Sequence, residues 1–415
     1  MRKIKIAALA LCFILLLGIA LNTAADLFRM KGSTKYYAEF WQNPEEYDVW
    51  FMGTSRVYYS VQPMELWNRF GIRSYNLGSS GSSIPQVYWT LMCALEYSEP
   101  QVIVLDTFNI HLEKKYQKPE KMVHTGMDEI PLSVMKIRGI CDMFDTWEER
   151  IEYLCGFSIY HNRWEELTSD DFNVTVLETK GARFQDKIAD NSGYRMIAKE
   201  DMSAADTVGF LYLEKVIAEC QKRGIELILT ELPFCGDKDK QRAMNAVPKV
   251  CEEHGLTCLN MAYEEGLVDC ETDFGDNVHV NLFGAEKITD YIGKYLSEHC
   301  NLADYRDSAE TAAKWNADYE KYLQRRTAEM RDVSAVKSYV QWLADDRYVC
   351  YMYQGKEPDE LLERELAKLD NITYISREEA KERLGEEIKG DYAFFVENHS
   401  GEVLDKAVFQ KGKRL

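Results

Sequence analysis

Tyr47-Asp48-Val49-Trp50-Phe51-Met52-Gly53-Thr54-Ser55 is the stretch whose reading decides the fold. Val49, Trp50, Phe51 and Met52 form an apolar run without polar alternation, as in a strand covered on both faces. A glycine and two hydroxyl residues follow at once, so the strand ends in a turn that presents a serine. The same pattern recurs along the chain. Strands are expected at residues 73–77, 101–106, 225–230 and 256–260, and helices at 85–97, 207–223, 238–254 and 282–299. Gly224 and Gly255 end two of these helices in the way a left-handed C-terminal residue does.

Strands that alternate with helices imply a three-layer, mostly parallel five-stranded sheet with right-handed crossovers, a flavodoxin-like α/β arrangement. Such sheets bind ligands at the carboxyl ends of their strands. Ser55 follows the first strand and Gly78 the second. Asp106 and Asn109 follow the third, and Asp276 and His279 lie beyond the fifth. All the candidate residues therefore fall on one edge of one sheet. Residues 107 to about 205 break the rhythm and read as a long insertion, rich in aromatic and charged residues.

Ser55, His279 and Asp276 are the material of a nucleophilic triad. A serine hydroxyl is a weak nucleophile until an imidazole takes its proton, and a carboxylate fixes the tautomer and aim of that imidazole. The run from Gly78 to Ser83 (Gly-Ser-Ser-Gly-Ser-Ser) lacks the Lys-Ser/Thr that a phosphate-binding loop would carry, which speaks against a nucleotide site. No metal-ligand spacing is visible, and no cofactor is expected.

Three blocks resemble the SGNH/GDSL hydrolase superfamily: Phe51-Met52-Gly53-Thr54-Ser55, Tyr75-Asn76-Leu77-Gly78, and Asp276-Asn277-Val278-His279-Val280-Asn281-Leu282-Phe283-Gly284. Within that superfamily they are similar to membrane-anchored, extracytoplasmic members related to the D-alanine transfer protein and to alginate O-acetylation proteins. Tyr160-His161-Asn162-Arg163-Trp164 resembles a signature of this subgroup. The resemblance covers about residues 45–300. It implies acyl-ester chemistry, with an acetyl or D-alanyl group moved to or from a cell-surface polysaccharide, and a membrane-bound O-acyltransferase as partner. Backbone N–H groups of Ser55 and Gly78, with the Asn109 side chain, are the expected oxyanion donors. The family's usual asparagine position is occupied here by Phe108, with Asn109 one residue later. His161 and Arg163 are expected either to form a salt-bridged core of the insertion or to grip an anionic or carbohydrate substrate. A catalytically inactive protein of the same fold, which binds glycan or scaffolds an envelope complex, is the competing reading.

At the N-terminus Arg2, Lys3 and Lys5 precede an uncharged run over residues 6–21, which Ala24 and Ala25 extend. Basic residues before the run and Asp26 after it fit a signal anchor (residues 1–26) with the bulk of the chain extracytoplasmic; a signal cleaved near Ala25 is the alternative. The formal net charge of −19 argues against nucleic acid as a partner of the body. The 11 cysteines are irregularly spaced, with no CxxC pair, and read mostly as free thiols. Cys251 with Cys258, and Cys270 with Cys300, are the candidate pairs.

Residues 301–333 are charged and alanine-rich, the composition of an exposed helical linker between the large unit (27–300) and a small α+β accessory unit (334–415). That unit shows strands at 348–353, 372–375, 392–396 and 403–409, helices at 359–369 and 378–384, and no catalytic constellation.

Overall fold

The computed structural model describes residues 2–28, 37–116, 124, 126–154, 156–172 and 178–415. Residues 29–36 and parts of the expected insertion lie outside the described residues. The chain is mixed α/β. Its first sheet contains β1 (Val49–Met52), β2 (Ser74–Asn76), β3 (Val102–Asp106), β4 (Glu226–Thr230) and β5 (Thr257–Leu259), in the order β2-β1-β3-β4-β5. Every pairing in it is parallel.

The uninterrupted apolar runs have a direct physical cause. Trp50 and Met52 of β1, with Ile103 and Leu105 of β3, enter the core on one face of the sheet. Val49 and Phe51, with Val102 and Val104, enter a second core on the other. Alternate residues of β1 and β3 thus point to two dry layers, apolar as far as Asp106 at the carboxyl end of β3. The covering helices of this first sheet are α2 (Ser55–Ser60), α3 (Pro63–Phe70), α4 (Ile84–Ala94), α5 (Val208–Arg223), α6 (Lys238–Met244), α7 (Val247–His254) and α8 (Leu282–His299).

Two local expectations need correction. The single helix expected at 238–254 is two helices, because Pro248 opens α7 and has no N–H with which to continue α6. The segment at 301–333 is no solvated linker. Its helix α9 (Ala309–Asp332) buries Trp315, Tyr319, Tyr322, Arg326 and Met330, all on one face at helical spacing. Trp315 and Tyr322 complete the core of the parallel sheet.

Beyond α9 comes α10 (Val336–Trp342), and then a second sheet containing β6 (Tyr348–Gln354), β7 (Ile372–Tyr374), β8 (Tyr392–Asn398), β9 (Val403–Gln410) and β10 (Lys413–Arg414). Its order is β10-β9-β8-β6-β7. Only the β6–β7 pair is parallel. Helices α11 (Glu360–Leu366) and α12 (Arg377–Leu384) fall between its strands.

The N-terminal helix, α1 (Arg2–Phe28), holds a span of 24 residues, Arg2–Ala25, that is long and apolar enough to cross a membrane. Among the described side chains, the large apolar ones from Ile4 to Ile19 are exposed, whereas Ala25 is buried.

Candidate active site

The turn after β1 is built by close approach. Gly53 adopts φ +141°, and a Cβ there would stand 2.8 Å from Val57 Cγ2 and 3.0 Å from Asp106 Cβ. Only glycine fits this turn. Thr54 is the N-cap of α2, and its hydroxyl accepts from the Arg56 N–H at 3.3 Å. Ser55 is thereby the first residue of α2, where a backbone N–H has no acceptor within its own helix.

The histidine arrives on a closed hairpin. Phe274 bridges Val280, the Gly275 N–H donates to the His279 carbonyl at 2.9 Å, and the Asn281 N–H donates to the Asp273 carbonyl at 2.9 Å. Asn281 caps α8 through Gly284 N–H, and its amide donates to the Thr272 carbonyl at 2.7 Å. Gly284 is required because a Cβ would lie 2.5 Å from the Asp273 carbonyl oxygen. Asn281 and Gly284 of the closing block therefore each have a mechanical reason.

These two loops bring the three residues together. Ser55 Oγ lies 2.7 Å from His279 Nε2, and His279 Nδ1 lies 2.8 Å from Asp276 Oδ2. The second oxygen, Oδ1 of Asp276, accepts the backbone N–H groups of Val278 and His279, both at 2.8 Å. Burial pushes the Asp276 carboxyl up, but His279 and the two N–H donors outweigh it and hold it below its ordinary value. A carboxylate so fixed accepts the Nδ1–H hydrogen bond, which keeps that proton on Nδ1 and leaves Nε2 free to accept from Ser55. The ring of Tyr59 stands edge-on to His279 at 5.1 Å between centroids.

The other expected site residues have different surroundings. The Gly78 N–H donates to Asn76 Oδ1 at 3.0 Å, and its carbonyl accepts from the Tyr37 hydroxyl. A Cβ at Gly78 would meet the Thr54 carbonyl oxygen at 2.7 Å, so close backbone approach explains the glycine. Asn109 is buried and donates to the Ser82 carbonyl at 2.7 Å. Arg163 donates to the Phe28 carbonyl at 2.6 Å and to Asp171 at 3.1 Å, which ties it to the end of the N-terminal helix rather than to the triad. His161 is exposed beside it, stacked on Phe157.

Sequence reasoning missed three supports. Arg56, next to the nucleophile, is fully buried. Its guanidinium reaches Asp106 at 3.5 Å, donates to the Leu232 and Pro233 carbonyls, and lies 4.2 Å from the Phe108 ring centroid. Phe108 thus packs on a cation. The signal was available: a charged residue immediately after Ser55, in a helix that must lie on the sheet. The second support is the segment 178–206, which forms no helix or strand. Its Ala189 N–H donates to the Phe274 carbonyl, and the Asn191 side chain donates to the Asp276 carbonyl at 3.2 Å. The third comes from the second sheet's side. Lys368 reaches the buried Asp273 at 2.9 Å, beside Lys287 of α8 at 2.6 Å, and Arg364 pairs with Asp269 and Glu271.

The ten described cysteines are free. The Cys235 and Cys270 sulfurs are 3.0 Å apart, and Cys251 lies beside Cys258. The candidate Cys270–Cys300 pair does not form: Cys300 faces Glu226 at the amino end of β4, whereas Cys270 lies against Cys235, which follows the carboxyl end of that strand. Among the described residues, no group of three or more His, Cys, Asp or Glu side chains could hold a metal ion.

No protein-family model, curated protein or solved structure matches this chain.

Proposed function

We propose that the chain is an extracytoplasmic, membrane-anchored enzyme of SGNH type that works on acyl esters through a Ser55-His279-Asp276 triad. One observation carries the reading: the unbroken hydrogen-bonded line from Ser55 Oγ through both ring nitrogens of His279 to Asp276. Under this reading the parallel sheet is an SGNH fold with a long insertion, and residues 334–415 are an accessory unit. The N-terminal helix is the anchor.

In the mechanism His279 Nε2 takes the proton of Ser55 as Oγ attacks the acyl carbonyl. Asp276 stabilises the imidazolium that forms. The Ser55 N–H, unpaired within α2, faces the developing oxyanion. The Gly78 N–H joins only by releasing Asn76. Collapse of the tetrahedral intermediate expels the alcohol, which regains its proton from His279. The acyl group then passes to a sugar hydroxyl of a surface polysaccharide, or to water. The resemblance favours acetyl or D-alanyl transfer beside a membrane-bound O-acyltransferase.

A specific observation favours the competing reading, a glycan-binding protein of the same fold without turnover. Asn109 and the Gly78 N–H are both occupied by protein acceptors, so two of the three expected oxyanion donors are engaged. Loss of one such donor typically costs about 3–4 kcal/mol in the barrier. Full-length protein in detergent treated with a serine-directed fluorophosphonate separates the two. Peptide mapping is expected to find one adduct, on Ser55, absent from His279→Ala. A folded protein that takes no adduct would sink the enzyme reading.

A further inference from the structure

The membrane helix does not end in open solvent. Phe28, at its last turn, lies 6.1 Å from Phe157 between ring centroids, and its carbonyl accepts from Arg163. The short helices Phe157–Tyr160, His161–Glu166 and Ser169–Phe172 all pack against it. Helix Trp147–Leu154 packs on the first of these, and helix Val134–Met143 packs on Trp147–Leu154. The insertion is thus a chain of elements that starts where the apolar span stops.

The same elements carry exposed apolar side chains. Outside the N-terminal helix, 13 large apolar residues are exposed among the described residues, and seven of them fall between residues 132 and 172. Val134 and Ile137 stand three apart on one helix, opposite its buried Lys136, Gly139 and Ile140 face. Trp147 and Ile151 stand four apart on the next. Trp164 (63% exposed) and Phe172 (64% exposed) lie on two of the three short elements that touch the N-terminal helix. A soluble surface rarely gathers apolar groups this way, and tryptophan beside a span is the habit of the membrane–water boundary.

We propose that this face of the insertion rests on the extracytoplasmic surface of the bilayer that holds the N-terminal helix, with Trp147 and Trp164 seated among the headgroups. The inference rests on the anchor reading above and is independent of the chemistry at Ser55. Three arguments select the bilayer over a protein partner. The elements that carry the apolar residues follow one another in contact from the exit of the membrane span. They are held to that exit by the Arg163 and Phe28 contacts, so where the helix enters the membrane the patch lies alongside. Its rim, with exposed Glu148, Glu165 and Glu166, is acidic, so binding comes from apolar contact and not from attraction to anionic lipid. This also gives the Tyr160-His161-Asn162-Arg163-Trp164 motif a role: Arg163 sets the body on its anchor and Trp164 meets the headgroups.

The chain supplies its own probe. It has eight tryptophans, none in the N-terminal helix, and only Trp147 and Trp164 are exposed. Full-length protein is reconstituted into phosphatidylcholine vesicles, with or without bromine near the headgroup end of the acyl chains, and flotation confirms its insertion. Tryptophan fluorescence is expected to be dimmer in the brominated vesicles. Trp147→Phe/Trp164→Phe should float equally well and lose that difference, and addition of anionic lipid should not enhance it. Equal brightness of the wild-type protein in both vesicles, despite flotation, overturns the proposal alone. So does quenching that persists in the double variant. Failure to float overturns the anchor and the proposal together, and leaves the triad reading untouched.

Discussion

The two five-stranded sheets of this chain follow opposite hydrophobic rules. Strands β1 and β3 are buried at every position, whereas β6 and β9 alternate buried with partly or fully exposed residues. The first sheet is covered on both faces, so polar chemistry has nowhere to stand except the loops at its carboxyl edge. The second sheet keeps one main core and uses its helices to reach sideways. It places two cations, Lys368 and Arg364, on the hairpin that carries Asp276 and His279. One sheet therefore presents the reactive groups, and the other braces the loop that aims them.

The largest effect should separate the two sheets by chemistry. Each has a histidine on a turn: His279 beside Ser55, and His399 in the β8–β9 hairpin, bonded to the Asp346 carbonyl at 2.7 Å. His279→Ala or Asp276→Asn should slow fluorophosphonate labelling of Ser55 by about 10³–10⁴-fold with little change in melting temperature. His399→Ala should leave the rate unchanged. Equal losses from both histidines would break the division between presenting and bracing. The burial contrast gives the next effect. Phe51→Ala, in the doubly covered β1, should cost about 3–5 kcal/mol in denaturant unfolding. Val403→Ala, on the exposed face of β9, should stay within about 0.5 kcal/mol. Similar costs at the two positions would mean that β9 is covered by something outside this chain.

The parallel sheet was legible for the same reason that Phe51 is costly. A strand covered on both faces must be apolar throughout, and β1, β3 and β4 lie within a residue or so of where hydropathy puts them. Ser55, Asp276 and His279 were legible because Gly53, Asn281 and Gly284 report backbone needs that few other residues meet. What stayed hidden depends on contacts distant in sequence. Trp315 and Tyr322 sit in a charged, alanine-rich stretch, and only the third dimension shows their shared face entering a core built 200 residues earlier. Asn109 pointed to the site by spacing alone, yet the Ser82 carbonyl takes its amide. Arg163 carried a motif whose partner, the Phe28 carbonyl, is a backbone atom that no motif encodes.

The brace itself yields a smaller effect. Asp273 is fully buried, and burial raises its carboxyl, but Lys368 and Lys287 more than offset that and hold it below its ordinary value. Lys368→Met removes one of two cations from a buried carboxylate and should cost about 2–3 kcal/mol of stability. Faster hydrogen exchange over residues 269–281 should accompany it. Unchanged exchange there would show that the second sheet touches the hairpin without holding it.

The smallest effect is a pH dependence within that brace, and its sign follows from Glu365. This side chain is buried, 3.5 Å from the Lys368 ammonium and close to the carboxylates of Asp273 and Asp269. Burial is the main influence and Lys368 opposes it, so the carboxyl is pushed up from 4.5 to about 7. Between those two values the folded chain holds a proton that the unfolded chain has released. Unfolding then releases a proton, and stability falls as pH rises through the window. Asp273, depressed below 3.8, loses its contribution only at more acidic pH, beneath this window, and does not cancel the slope. Lys368 is partly exposed, and solvent screens the charges around Glu365, so the fall from pH 4.5 to 7 should be about 1–2 kcal/mol. Glu365→Gln cannot ionise and should flatten that part of the curve, most visibly in exchange at residues 269–281. An unaltered slope in Glu365→Gln would mean that ionised Glu365 finds Lys368 at no cost. The brace would then hold the hairpin equally across the range.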